Sequence, residues 1–172
     1  MRWDSLFEGL ESLWASEDHA AHIDEERDRA RAERSTVTLA ARLQVRAGES
    51  AVTISTDAAD YRIHCVRIGA DWVEGSMCSS PTRLVVPMNS VRSVVNAPSC
   101  TCVAPPCHTV ALLELSTVLR FLERKGAWVR VDGTNQVCTG RITAVWADAI
   151  TVEGTQTRDV ARAAISAVVY SA

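Results

Sequence analysis

The sequence lacks several things, and each absence excludes something. There is one lysine, Lys125, beside seventeen arginines, and Lys plus Arg (18) do not exceed Asp plus Glu (21). The net charge of −3 argues against a general polyanion binder. No apolar run approaches the roughly 20 residues of a membrane-spanning helix. Asp4 and Glu8 stand where an export signal needs an apolar core, so a cytoplasmic location is expected. In that compartment the six cysteines should be mostly free thiols. No phosphate loop, dinucleotide fingerprint or nucleophile elbow occurs, so neither an enzyme nor a cofactor is expected. The scarce lysine, with abundant Ala and Val, suggests a GC-rich bacterial genome.

What is present is a repeat. Trp128–Tyr170 has the same layout as Val52–Asn96. Val52 and Ile54 fall where Val129 and Val131 fall, and Ala70-Asp71 falls where Ala147-Asp148 falls. After a turn three residues shorter in the second copy, Val91, Val94 and Val95 match Ile165, Val168 and Val169. A glycine follows a basic helix end before each copy, Arg46-Ala47-Gly48 in one and Arg124-Lys125-Gly126 in the other. The repeat unit is therefore a helix plus a set of short strands. The fold expected is mainly β with helices: two tandem small β-barrels, each preceded by a helix, plus an N-terminal amphipathic helix.

The chain divides accordingly. Residues 1–35 form a helical segment, with Trp3, Leu6, Phe7, Leu10, Leu13 and Trp14 on one stripe at i, i+3, i+4, i+7 spacing. This segment carries ten acids and five bases. A membrane-surface helix usually shows Lys or Arg on its polar face, so the acidic face points to a protein partner or to the chain's own barrel. Residues 36–97 are the first helix and barrel, with a helix through Val37, Leu39, Ala40 and Leu43. Residues 98–108 are a proline- and cysteine-bearing linker. Residues 109–172 are the second helix, Thr109–Lys125, and the second barrel. That helix is apolar on nearly every side, which predicts burial between the barrels.

The residues with reactive or ligating chemistry are few. Cys100, Cys102, Cys107 and His108 put four soft donors within nine residues, which could hold zinc. Cys-x-Cys is tighter than the usual zinc spacing, Cys107 and His108 are adjacent, and two prolines intervene. No metal is expected. Cys65 and Cys138 fall at strand positions and read as small core residues. His64 is next to Cys65 on a strand, so the two side chains point to opposite faces. His19 and His22 read as solvated helix residues. Asp71 and Asp148 sit in matched turns, where a carboxylate accepts local backbone N–H groups. Trp72 and Trp146 are each expected to cover one barrel end. Val131, Ile142, Ile165 and Val168 are the expected core of the second copy.

A helix, a glycine and five short bent strands resemble the Sm-like or SH3-like layout. Over about 45 residues the second copy is similar to the Hfq family of bacterial RNA chaperones. The matching points are Val129-x-Val131 with Gly133, Gly140 inside the second strand, Asp148, and Ala164-Ile165-Ser166-x-Val168-Val169. That resemblance implies a bent five-stranded barrel with an RNA-binding rim. The family's rim triplet Tyr-Lys-His is here Ala161, Arg162, Ala163 in the second copy and Pro87, Met88, Asn89 in the first. The opening MRWDSLFEGLE also resembles an actinobacterial cytoplasmic family that starts MRWD-x-LF, for which no activity is established.

The function expected is a non-enzymatic protein–protein interaction or assembly module, its partner stripe being the apolar face of the N-terminal helix. The alternative is RNA binding in the Hfq manner through Arg130, Arg141, Arg158 and Arg162. Two joined barrels could pair edge to edge, letting three chains close a pseudo-hexameric ring, or pack through the Thr109–Lys125 helix, which blocks the ring. The second arrangement, a monomer or dimer, is expected.

Overall fold

Alternating residues set the strands. DYRIHCVRI and VCTGRITAV bury every second side chain along most of their length, because successive side chains of an extended chain face opposite ways. The computed structural model describes residues 25–45, 51–97 and 109–171, with two compact units, Met1–Thr38 and Leu39–Ala172. In the first unit residues 25–36 are helical (α1). The stripe Trp3, Leu6, Phe7, Leu10, Leu13 and Trp14, together with His19, His22, Gly48 and the linker 98–108, lies outside the described residues.

The second unit opens with helix α2 (Leu39–Val45). Five strands follow: β1 (Ala51–Ser55), β2 (Asp60–Ile68), β3 (Trp72–Met77), β4 (Thr82–Pro87) and β5 (Ser93–Val95). Helix α3 (Leu115–Lys125) leads into β6 (Trp128–Gly133), β7 (Val137–Val145), β8 (Ala149–Gly154), β9 (Thr157–Ala161) and β10 (Ile165–Ser171). The chain is thus mainly β with helices. All ten strands join one open antiparallel sheet in the order β5-β1-β2-β3-β4-β10-β6-β7-β8-β9. Each half has the internal order fifth, first, second, third, fourth.

The two halves match in detail. A register shift between Cys65 and Arg67 recurs between Ile142 and Ala144. Each fourth strand ends in a short 3-10 turn, Met88–Ser90 or Arg162–Ala164. Asp71 O accepts from Met88 N at 2.8 Å and Asp148 O from Arg162 N at 2.7 Å, so the two aspartate turns are the same turn.

The halves do not meet as expected. Packing through the Thr109–Lys125 helix in place of edge pairing is overturned, because β4 pairs directly with β10, from Val85↔Val168 to Thr82↔Ser171. Strand edges carry backbone donors and acceptors that a helix cannot satisfy and another strand can. The helix is also shorter than predicted. Thr109–Leu112 is a 3-10 turn and the α-helix starts at Leu115. It is not buried on every side: Leu115, Leu119 and Leu122 are buried, while Phe121 is 52% exposed. Gly126 ends it with φ 58°, the left-handed cap expected after Arg124-Lys125.

Two cores lie on either side of the β4–β10 wall. One gathers Val131, Ile142, Ile165 and Val168, all buried as expected, with the three leucines of α3. It also takes Trp72 and Val85 from the first half. The other gathers Leu43, Ile54, Ile63, Val73, Leu84 and Val86, and takes Ala167 and Val169 from β10. Consecutive residues of β4 and of β10 therefore serve different cores, which is what strand alternation permits.

Candidate functional site

The polar chemistry of the described residues concentrates where the halves meet. Among the described residues three polar or charged side chains are buried, Glu74, Asp132 and Ser166. Both carboxylates lie at the junction. The Tyr61 hydroxyl, from β2, donates to Asp132 Oδ2 in β6 at 2.7 Å, across 71 residues of sequence. Arg130 grips the same carboxylate as a fork, Nε to Oδ1 at 2.9 Å and Nη2 to Oδ2 at 3.0 Å. The Tyr170 hydroxyl, from β10, donates to Glu74 Oε1 in β3, across 96 residues. Arg83 Nη1 lies 3.0 Å from that oxygen, and Arg67 Nη1 lies 3.6 Å from Oε2. A buried carboxylate is tolerated only when paired and hydrogen-bonded, and here each has both. Burial first, and the donated hydrogen bond second, hold both tyrosines well above the ordinary phenol range. Of these seven residues only Arg130 was singled out from sequence, and there as an RNA contact. The available clue was an acid at a buried strand position beside apolar neighbours, Glu74 after Val73 and Asp132 after Val131.

The Asp71 carboxylate does not bond a local backbone N–H as expected; the backbone oxygen makes the turn's bond, and the side chain reaches a helix 44 residues on. Its Oδ1 accepts the Leu115 backbone N–H at 2.7 Å and so caps α3, whose own N-cap residue Glu114 makes no side-chain cap. Trp72 is buried, and its indole N–H donates to Leu113 O at 2.8 Å. It therefore anchors the junction and does not cover a barrel end. Trp146 is 57% exposed and donates to Thr151 Oγ1 at 2.9 Å. Its expected covering role is also corrected, because it lies outside both cores.

A cleft of about 360 Å³ opens between the matched turns, with Asp71, Asn89, Asp148, Arg162 and Leu115 in its wall. Both triplets at the expected rim positions reach it. Its charges suit no polyanion: Arg162 Nη1 is spent on Ala147 O at 3.0 Å, and two carboxylates stand beside it. The four candidate arginines do not converge. Arg130 is bound to Asp132, Arg158 on β9 reaches Gln156 Oε1 at 3.2 Å, and Arg162 lies at the cleft. Arg141 on β7 is exposed, with Trp128 as its cross-strand partner.

Cys65 and Cys138 are buried strand residues and Cys78 is exposed, all with free thiols. Burial pushes the Cys65 thiol up to about 11, so it is a poor nucleophile. His64 is exposed beside buried Cys65, on the opposite face as expected. No three metal-ligating side chains gather among the described residues. Cys100, Cys102, Cys107 and His108 lie outside them. No helix of the described residues is long and apolar enough to cross a membrane.

No protein-family model matches this chain, and no curated protein matches it either.

Proposed function

We propose that this chain is a non-enzymatic cytoplasmic interaction and assembly module, built from two Sm-like barrels fused through their edges. The observation that carries the reading is the open sheet. Among the described residues, β5 and β9 each have one bare edge, and a bare edge takes up an extended strand from a partner. β5 is the more receptive of the two, with Val95 54% exposed. β9 presents Thr157, Arg158 and Asp159, and charges on an edge discourage pairing. The apolar sequence stripe Trp3, Leu6, Phe7, Leu10, Leu13 and Trp14 supplies a second contact in this reading.

A ring of identical chains is the less favoured assembly. Pairing β9 of one chain with β5 of the next would repeat the β4–β10 junction at equivalent positions. The pair Val168↔Val85 would become Val94↔Asp159, and Val169↔Leu84 would become Val95↔Arg158. Asn96 would replace Tyr170, yet its φ of 63° ends the strand there. Charge opposite valine and a shortened strand favour a monomer or dimer. Light scattering tests this: a mass of 18.7 kDa or twice that is expected. Three times that mass, about 56 kDa, overturns it. Pull-downs with Val95→Lys and with residues 1–34 removed should each lose partner protein. Undiminished capture by both variants would refute the interaction surfaces.

A second reading, RNA binding, is favoured by one feature. Trp128, 58% exposed, stands opposite exposed Arg141, with Arg130 two residues along. An aromatic face beside cations is a stacking platform. A gel shift with A-rich and U-rich RNA that is tight, salt-sensitive and lost on Trp128→Ala would promote this reading over the first.

A further inference from the structure

We propose that the junction carries a binding site for a phosphate-class anion, in the cavity bounded by β2, β3, β4, β10 and the end of α3. The cavity has about 280 Å³ and is lined by Arg67, Arg83, Lys125, Glu74, Tyr170 and Phe121, among others. Three cations face one carboxylate, a local charge of about +2 when all are ionised. Glu74 is buried and committed: Arg83 and the Tyr170 hydroxyl share Oε1. Arg67 approaches Oε2 only to 3.6 Å and is 55% exposed, so most of its donors stay available. Lys125 Nζ sits 4.8 Å from the Phe121 ring centre, and no described carboxylate pairs with it.

The arrangement is a half-filled anion site. Glu74 neutralises one guanidinium and orients two. Arg67 and Lys125 are left to approach a ligand from different elements, β2 and α3. A guanidinium fork and an ammonium match the several oxygens of a phosphate better than the two of a carboxylate. Phe121 and Ala127 give the same cavity an apolar side, fit for the uncharged portion of an organic phosphate. The positions equivalent to Arg67, Glu74 and Arg83 in the second half are Ala144, Thr151 and Thr157. The site therefore belongs to the meeting of the halves and occurs once.

Calorimetric titration of the full chain with inorganic pyrophosphate, at constant ionic strength, tests the proposal. One saturable site per chain is expected. Arg67→Ala and Lys125→Ala should each weaken it at least tenfold while still unfolding cooperatively, because Arg83 and Tyr170 still hold Glu74. Lys125→Met, which keeps an unbranched apolar side chain of similar length but no charge, should weaken binding equally. Arg141→Ala, on β7 and outside the cavity lining, should bind as the parent does, which separates this site from the RNA platform. Absence of saturable binding, equal binding by the two alanine variants, or succinate binding as tightly as pyrophosphate would overturn it.

Discussion

The first half of the chain has one strand glycine, Gly75 on its third strand, whereas the second half has three, Gly133, Gly140 and Gly154 on its first, second and third strands. Ile63 stands where Gly140 stands, and Gly75 where Val152 stands. A Cβ on Gly75 would lie 2.6 Å from Ile63 Cδ1, and one on Gly140 would lie 2.2 Å from Glu153 O. A sharply bent sheet needs a small residue where two strands crowd, and either strand can supply it. Larger differences gather at the junction. Tyr61, Trp72 and Glu74 of the first half have Cys138, Ala149 and Thr151 as counterparts, while Asp132 and Tyr170 of the second half have Ser55 and Asn96. The halves share a strand plan and diverge where they touch, because only the inner edges carry a partner to hold.

The largest expected effect concerns the closing strand. Ile165 is fully buried, whereas its counterpart Val91 is half-buried. Ile165→Ala should cost roughly 2–5 kcal/mol by denaturant melting, the range for large-to-small core changes. Val91→Ala should cost about 1 kcal/mol or less, since less apolar area is lost. Equal losses would mean that both closing strands are packed alike.

Next come the junction tyrosines. Tyr61→Phe and Tyr170→Phe each remove a hydrogen bond to a buried carboxylate, and each should destabilise by about 1–3 kcal/mol. Ser55→Ala, at the counterpart of Asp132, should be near neutral. A silent Tyr61→Phe would show that Asp132 is adequately held by Arg130 alone.

The matched aspartates offer the sharpest pair. Asp71→Ala should cost about 0.5–2 kcal/mol through loss of the α3 cap. Asp148→Ala keeps the backbone bond its turn makes and should cost only a few tenths, as surface changes do. If both cost the same, the carboxylate of Asp71 is not acting as the helix cap.

The smallest effect is spectroscopic. The chain has two tyrosines, both at the junction and both raised above the ordinary phenol value of about 10. The neutral form is favoured by folding, so this stabilisation is fully present below about pH 10. It declines as pH rises from there toward the folded-state values. Absorbance near 295 nm should show no tyrosine ionisation in the native protein at pH 10. Ionisation of one tyrosine at its ordinary value would place that ring outside the junction.

The strand alternation, the matched aspartate turns, the helix stop at Gly126 and the buried set Val131, Ile142, Ile165 and Val168 were all legible in the sequence. Each is a local matter: period two, a turn residue, a glycine cap, an apolar face. The pairing of β4 with β10, the capping of α3 by Asp71 and the two tyrosine–carboxylate links were not. They join residues 44 to 96 positions apart. Periodicity states which face of a strand is buried and is silent on which edge meets which. Thus Trp72 and Trp146, at non-equivalent positions, were expected to play the same covering role, yet one anchors the shared wall and the other lies exposed. That choice belongs to the tertiary structure, because an edge strand's backbone is satisfied only by the particular strand that folding brings beside it.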